Sequence, residues 1–346
     1  MPDPTAVFHS LTPVQIIVTQ AAAHTYTGSH AMQPTSGTSP AATAAVSQDA
    51  ATAGTARPDL TDPTSTHPAR PQAWMSGLQP AEPGPGFDPS VAHPARVYAY
   101  WLGGKDHYGA DRQAAEEVIR RRPQVVAGAR ANRAFLARVV RYLAAECGIR
   151  QFLDIGTGLP APQSTHEVAQ AIAPQSRVVY VDNDPLVLVH ARALLTSSPQ
   201  GACDCVDADL RDTATIVAQA AKTLDPSQPT AVLLVAVLHF IPDTDNPAGI
   251  VAALASALAP GSFVVISHLT ADIAPSQVGA GVAAYNTRVP AGLTARTHSE
   301  VSALFGGLPL VPPGVVPVTE WRPALAGHTQ PADMYGGLAR IPRARM

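Results

Sequence analysis

The stretch Gln151-Phe-Leu-Asp-Ile-Gly-Thr-Gly-Leu-Pro160 decides the fold of this chain. A short apolar run ends at Asp154, two glycines follow at Gly156 and Gly158, and a helix-like segment starts at Ser164. This order predicts a strand, a Gly-rich turn and a helix, which is typical of the nucleoside- or phosphate-binding turn of a Rossmann-like βαβ unit. Glycine is needed because the chain must turn tightly and bring its backbone close to a ligand without an intervening Cβ.

The turn by itself fits two classes of ligand. Gly156 to Ala161 matches the dinucleotide pattern G-x-G-x-x-A, and Asp154 to Gly158 matches the D-x-G-x-G loop of enzymes that bind S-adenosylmethionine (SAM). A carboxylate at the mouth of the loop repels a pyrophosphate but attracts the ammonium and sulfonium of SAM. Asp154 therefore favours SAM, and the dinucleotide alternative stays open.

Further acids follow the next two predicted strands. Asp182 ends a strand over 177–182, where a carboxylate can accept hydrogen bonds from both hydroxyls of an adenosine ribose. Asp184 precedes a proline and fits a helix cap better than Asp182 does. After a third strand over 202–206, Asp209 is predicted to accept from an adenine amino group, with Asp207 as the alternative.

The run from Ala231 to Ile241 is almost continuously apolar and predicts a central parallel strand that is buried on both faces. Ligands of open α/β sheets bind at the carboxyl ends of strands, where the run carries His239. We therefore expect His239 to act as a general base or as a group that orients the substrate. Its neighbour Leu238 is assigned to the cofactor pocket.

The chain divides into three predicted segments. Residues 1–88 are rich in Ala, Thr, Ser, Pro and Gln, and we expect a disordered low-complexity tail. Residues 89–148 predict amphipathic helices, with Asp111 as an N-cap, that form either a fixed cap on the sheet or a lid hinged at Gly103-Gly104. Residues 149–346 form the Rossmann-like domain, which closes with two late strands over 308–321 and 334–340 as an antiparallel pair.

Composition limits the remaining possibilities. The formal net charge of -3 gives no general electrostatic case for binding nucleic acid or an anionic membrane. Three cysteines without a C-x-x-C pair argue against a disulfide framework, and no zinc-binding pattern occurs. The N-terminus lacks a signal-peptide pattern and the longest apolar run is too short to span a bilayer, so we expect a cytoplasmic protein.

Several long motifs resemble one known family. They are HPARVYAYWLGGKDHYGADRQAAEE (93–117), ARANRAFLARVVRYL (129–143), IRQFLDIGTGLP (149–160), VVYVDNDPLVLVHARALL (178–195), VLLVAVLHFIPD (232–243) and GVVPVTEWRP (314–323). In this order they resemble an actinobacterial family of SAM-dependent methyltransferases, formerly a domain of unknown function. The resemblance covers about residue 88 to the C-terminus.

The resemblance implies a class I methyltransferase fold. Its elements would be a mostly parallel seven-stranded sheet with a late antiparallel strand, helices on both faces and an N-terminal helical cap. It also implies that SAM binds at six residues, and a small-molecule acceptor is expected beside it. These residues are Asp154, Gly156, Gly158, Asp182, Asn183 and Asp209.

Two other functions remain open at the level of sequence. The G-x-G-x-x-A match allows an NAD(P)-dependent oxidoreductase, which would tolerate Asp209→Ala. The lack of an obvious catalytic constellation allows a SAM-binding protein without catalysis.

Overall fold

The computed structural model describes residues 88–323 and 332–342, so the tail predicted over 1–88 lies outside the described residues except for Asp88. The helices are α1 (Pro94–Trp101), α2 (Gly109–Arg121), α3 (Val125–Ala145), α4 (Thr165–Ile172), α5 (Pro185–Leu194), α6 (Thr213–Ala220), α7 (Pro247–Ser256), α8 (Pro275–Asn286) and α9 (His298–Ala303). The strands are β1 (Gln151–Ile155), β2 (Arg177–Asp182), β3 (Ala202–Asp207), β4 (Thr230–Val235), β5 (Phe263–Leu269), β6 (Val316–Pro317) and β7 (Met334–Arg340).

The strands form one sheet in the order β3-β2-β1-β4-β5-β7-β6. The first five strands in this order are parallel neighbours, whereas β7 is antiparallel to β5 and β6 is antiparallel to β7. The prediction of a mostly parallel seven-stranded sheet with a late antiparallel strand is confirmed. Because the strand order reverses between β1 and β4, a crevice opens at their carboxyl ends, where ligands bind in such sheets.

Successive side chains of β1 point to opposite faces of the sheet. Leu153 and Ile155 pack with the buried residues of α6, α7 and α9. Phe152 lies on the other face and packs with α3 and α4. Helices thus cover both faces, as predicted, and a ligand reaches the sheet at the strand ends.

The fourth strand is shorter than predicted. β4 ends at Val235, and Ala236 adopts a left-handed conformation with φ of 57° that turns the chain out of the sheet. The residues Leu238–Phe240 then form a single 3-10 turn. The prediction of a strand to Ile241 was wrong. An apolar run indicates only that the residues are buried, and a buried turn can be as apolar as a buried strand.

The first of the two late strands is also shorter than predicted. Of the segment 308–321, only Val316–Pro317 pairs in the sheet, with one further bridge from Leu310 to Ala339. Pro312 and Pro313 lack the backbone N–H that a ladder requires, so the segment crosses the edge of the sheet mostly as turns.

The N-terminal helices are fixed to the sheet domain by buried charges. His93, the N-cap of α1, places its Nδ1 2.8 Å from Oδ2 of Asp184, the predicted and observed N-cap of α5. Arg96 Nε lies 3.5 Å from Asp111 Oδ1 and 3.8 Å from Asp184 Oδ2. These contacts support the interpretation of α1–α3 as a cap.

Asp111 acts differently from the prediction. The N-cap of α2 is Tyr108, and Asp111 lies in the first turn, where its two carboxylate oxygens accept from the backbone N–H groups of Tyr108 and His93. An acid in the first turn can accept from the same free backbone N–H groups as an N-cap side chain. The sequence pattern therefore indicated a helix start at Asp111, three residues after the true N-cap.

No helix in the described part of the chain has the length and apolar character needed to cross a membrane.

Candidate functional site

A cavity of about 330 Å³ lies at the carboxyl ends of β1, β2 and β4, beneath α1, α3 and α8. It is where the sequence places the site. Seven of the predicted site residues line it, namely Asp154, Gly156, Gly158, Asp182, Asn183, Asp209 and His239. These residues lie at or just after the ends of four strands, β1 to β4, that are far apart in the sequence, so the parallel sheet brings them together.

The Gly-rich turn after β1 needs glycine at both positions for conformational reasons, but only one glycine is sterically confined. Gly156 and Gly158 have φ of 72° and 67°, a region that side chains disfavour. A Cβ on Gly156 would lie 2.4 Å from Cγ2 of Val237. A Cβ on Gly158 would meet no atom within 4 Å, so the space above Gly158 is open to a ligand.

This difference makes a stability prediction. We expect Gly156→Ala to lower the free energy of unfolding by about 1–3 kcal/mol more than Gly158→Ala, because only the first methyl group overlaps Val237. Gly158→Ala is the matched control, since it carries the same left-handed strain without the overlap. Urea titration of both variants measures the difference, and equal losses would contradict the geometry.

Asp154 is the buried acid at the mouth of the turn. Its side chain is only 6% exposed, and Oδ2 accepts a hydrogen bond of 2.6 Å from the Thr165 hydroxyl. Burial raises the pKa of Asp154 to about 6, against the opposing effects of Thr165 and Arg133. Oδ1 accepts from no donor among the described residues. A cationic ligand at Oδ1 would offset the free-energy cost of burying the carboxylate.

Asp182 organises the turn from the end of β2. Oδ2 accepts from the N–H of Gly158 at 2.8 Å and Oδ1 accepts from the N–H of Asp184 at 3.0 Å. Burial raises the pKa of Asp182, although both hydrogen bonds act to lower it. Each carboxylate oxygen keeps a second lone pair for a ligand hydroxyl.

The two acids after β3 differ in position. Asp209 lines the cavity and accepts from the backbone and the guanidinium of Arg211, while Asn183 Nδ2 lies 3.4 Å from its Oδ2. Asp207 is exposed and lies outside the cavity lining. The geometry supports the choice of Asp209 over Asp207.

His239 lies in the 3-10 turn after β4. Its Nδ1 is 3.5 Å from the N–H of Leu269, which donates to it, and its Nε2 has no partner among the described residues. Burial lowers the pKa of His239 well below 6.5, and the nearby His268, Arg296 and Arg122 add to this effect. The imidazole is therefore neutral near pH 7, and a neutral ring that accepts at Nδ1 carries its proton at Nε2.

The buried side chain of Arg296 fixes the turn that carries His239. Its guanidinium donates to the carbonyl oxygens of Leu238 at 3.1 Å and Ile241 at 2.8 Å, and to Oδ1 of Asp243 at 2.6 Å. It also lies 2.7 Å from Nε2 of His268, whose Nδ1 contacts the Leu269 carbonyl at 2.7 Å. No motif in the sequence points to Arg296, because its partners lie more than 20 residues away in the chain.

Leu238 does not reach the cavity, so its assignment to the cofactor pocket is corrected. Its side chain is fully buried and packs in the core on the α6 and α7 face of the sheet. In the tight turn after β4, the neighbours Val237 and His239 face the cavity instead.

The part of the cavity between the cap and α8 is apolar and was largely missed by the sequence. Trp101, Phe240 and Tyr285 line it, and the ring of Tyr285 lies 6.4 Å from Trp101 and 6.1 Å from Phe240 between centroids. Trp101 lies within the motif over 93–117, but Tyr285 and Arg122 belong to none of the motifs. We call this half of the cavity the acceptor chamber, defined by Trp101, Arg122, Phe240, Tyr285 and Leu293.

A family model of S-adenosyl methyltransferases matches residues 80–342. The chain belongs to this family. It is a SAM-dependent methyltransferase, which confirms the methyltransferase prediction over the oxidoreductase alternative. No curated protein matches the sequence.

Two solved structures resemble this methyltransferase over nearly their whole length. A DUF574 family protein from Streptomyces avermitilis is 44% identical, with a TM-score of 0.71, and the match covers 74% of this chain and 99% of that one. A candidate methyltransferase from Thermobifida fusca is 40% identical, with a TM-score of 0.69, and the match covers 76% and 99% of the two chains. Both structures come from actinobacteria, which agrees with the resemblance to an actinobacterial family.

The cavity of the methyltransferase fits its cofactor. The open space above Gly158 admits a ligand against the backbone, and Oδ1 of Asp154 is available to a cation. The remaining lone pairs of Asp182 suit a pair of hydroxyl donors. SAM carries each of these groups, namely an ammonium, a sulfonium and a ribose.

Proposed function

We propose that Asp154, Gly156, Gly158, Asp182, Asn183 and Asp209 hold SAM and that the acceptor chamber holds a small-molecule methyl acceptor. One observation carries this proposal: a single cavity joins the polar turns after β1, β2 and β3 to an apolar chamber under the cap. A methyltransferase must place a charged donor and an acceptor side by side, and this cavity offers both environments in contact.

Each acid suits one part of the cofactor. Asp182 would accept from the ribose hydroxyls, because its oxygens already hold the turn in place and keep lone pairs free. Asp209 would accept from the adenine amino group and Asp154 would pair with the ammonium group. A cation beside Asp154 would also keep this acid ionised, which burial alone opposes.

SAM supplies a methyl group on a positively charged sulfur, which a nucleophile can displace in line. The protein then has to align the acceptor and exclude water, and such alignment supplies much of the rate enhancement in displacements of this kind. The aromatic side chains of the acceptor chamber would exclude water, and the contact of His93 with Asp184 ties the start of α1 to the sheet domain beside the cavity.

His239 is the group best placed to orient the acceptor. The sequence predicted either a general base or an orienting group. The hydrogen bond from Leu269 to Nδ1 leaves the proton at Nε2, which supports a role as a hydrogen-bond donor toward an acceptor oxygen. A general base would need the opposite tautomer.

A small acceptor is supported by the size of the cavity. Its volume of about 330 Å³ lies near the lower end of the range for small-molecule sites. We also propose a cytoplasmic location; the free state of Cys147, Cys203 and Cys205 supports a reducing compartment.

Calorimetric titration of the full chain with SAM, S-adenosylhomocysteine (SAH) and NADH tests the proposal. We expect SAM and SAH to bind with Kd values roughly in the micromolar range, and NADH not to bind. Binding of NADH alone would contradict the assignment of the Gly-rich turn. SAM binding without formation of SAH, whatever acceptor is supplied, would instead favour the non-catalytic alternative.

A further inference from the structure

Arg122 is a buried cation in the wall of the acceptor chamber. Its residue is 6% exposed, and its Nε donates to Oδ2 of Asp333 at 2.8 Å. Asp333 is its sole hydrogen-bond acceptor within 88–323 and 332–342. The two terminal amino groups of the guanidinium are therefore left for a further acceptor in the cavity that Arg122 lines.

The surroundings of Arg122 strengthen the attraction of an anion. Val118 and Val125 flank it in the wall, and the aromatic rings of Trp101, Phe240 and Tyr285 form the rest of the chamber. Charges interact more strongly in such apolar surroundings than in water. The planar guanidinium also presents its terminal N–H groups in parallel, which matches the two oxygens of a carboxylate.

Other charged side chains that line the cavity are engaged elsewhere. Arg133 donates to the carbonyl oxygens of Pro162 and Gln163, beside the Gly-rich turn. Arg211 is paired with Asp209 and Asp245 at the other end of the cavity. Arg122 is thus the arginine of the cavity lining that lies in the acceptor chamber, and its pairing with Asp333 uses only Nε.

We propose that the methyl acceptor is a small, largely apolar or aromatic molecule that carries a carboxylate and that Arg122 binds this carboxylate. The inference rests on the proposed function, because it takes the chamber to be the acceptor site. Asp333 already compensates part of the charge of Arg122. A singly charged carboxylate therefore fits better than a phosphate dianion, which would need further cations.

The test compares matched pairs of probes on the full chain saturated with SAH. The carboxylates are 4-hydroxyphenylacetate and indole-3-acetate, and the neutral partners are the corresponding amides. We expect each carboxylate to bind about tenfold to 100-fold more tightly than its amide, as the loss of a charged hydrogen bond predicts. Calorimetry measures the ratio, and phenyl phosphate serves as the dianionic comparison.

Three variants assign the effect to Arg122. The double variant Arg122→Met with Asp333→Asn removes both charges together and should abolish the preference for carboxylates. Asp333→Asn alone leaves the cation uncompensated and should increase the preference, which a merely structural role would not do. Arg120→Met is the matched control, because Arg120 lies on the same helix with its side chain 60% exposed.

The inference is overturned if the amides bind as tightly as the carboxylates, if no probe binds the SAH complex, or if phenyl phosphate binds most tightly. It is also overturned if the double variant keeps the preference. SAH affinity is measured for every variant. Failure of the wild-type chain to bind SAH would count against the proposed function, whereas normal SAH binding without carboxylate preference counts against this inference alone.

Discussion

Asp182→Asn is expected to lower the affinity for SAM about 100-fold or more. The substitution keeps the size of the side chain but replaces one carboxylate oxygen with an amide nitrogen. The N–H groups of Gly158 and Asp184 then compete for one oxygen, and a ribose hydroxyl loses its charged acceptor. Loss of two charged hydrogen bonds corresponds to an increase in Kd of about 100-fold or more. Calorimetry with SAM measures it directly.

The matched control is Asp207→Asn. Asp207 pairs with Asp182 in the register of β2 and β3, so it occupies the equivalent position at the end of the neighbouring strand. It is exposed and lies outside the cavity lining, and we expect its substitution to leave the Kd for SAM unchanged. Equal losses in the two variants would mean that general acidity of this edge, rather than the geometry of Asp182, attracts the cofactor.

His239→Ala is expected to lower turnover about 100-fold or more while the Kd for SAM changes less than about threefold. The reason is that, in the proposed arrangement, Nε2 donates to the acceptor and not to the cofactor, and removal of one aligned donor typically costs about 100- to 1000-fold in rate. Transfer of a labelled methyl group from SAM to a deproteinised actinobacterial extract measures the turnover. Equal loss of turnover and SAM affinity would exclude this role.

His239→Gln separates the two roles that the sequence left open. The glutamine amide can donate a hydrogen bond from nearly the position of Nε2, but it cannot accept a proton. Partial activity of this variant supports orientation of the acceptor, whereas activity as low as that of His239→Ala supports a general base. Because the pKa of His239 lies well below 6.5, the imidazole stays neutral and either role predicts a wild-type rate that is constant from pH 8 down to about 6.5.

The predictable part of the site is local in sequence. Asp154, Gly156 and Gly158 lie within one turn, and Asp182 follows one strand, so short motifs carry their geometry. The parallel order of strands then brings such turns to one edge. This is why the sequence sufficed for the polar half of the cavity.

The acceptor half could not be predicted in the same way. Arg122 and Asp333 are separated by 211 residues, and Arg122 looks in sequence like an ordinary basic residue at the end of a helix. The assignment of Leu238 failed for a related reason. The apolar residues around Leu238 do not indicate that the chain leaves the sheet at Ala236. They therefore do not indicate which side chain of the turn faces the core and which faces the cavity.

Asp184 makes polar contacts with both the helical cap and the cofactor turn. Its side chain contacts His93 at the start of α1, and its backbone N–H holds an oxygen of Asp182. A displacement of α1 therefore reaches the carboxylate that would bind the ribose, and a ligand on Asp182 reaches α1. If a ligand on Asp182 changes the strength of the contact between His93 and Asp184, thermodynamic reciprocity requires that this contact changes the affinity for the ligand by the same factor. The cap and the cofactor turn are thus linked through Asp184, and also through the apolar cluster of Ala99, Leu159 and Val187.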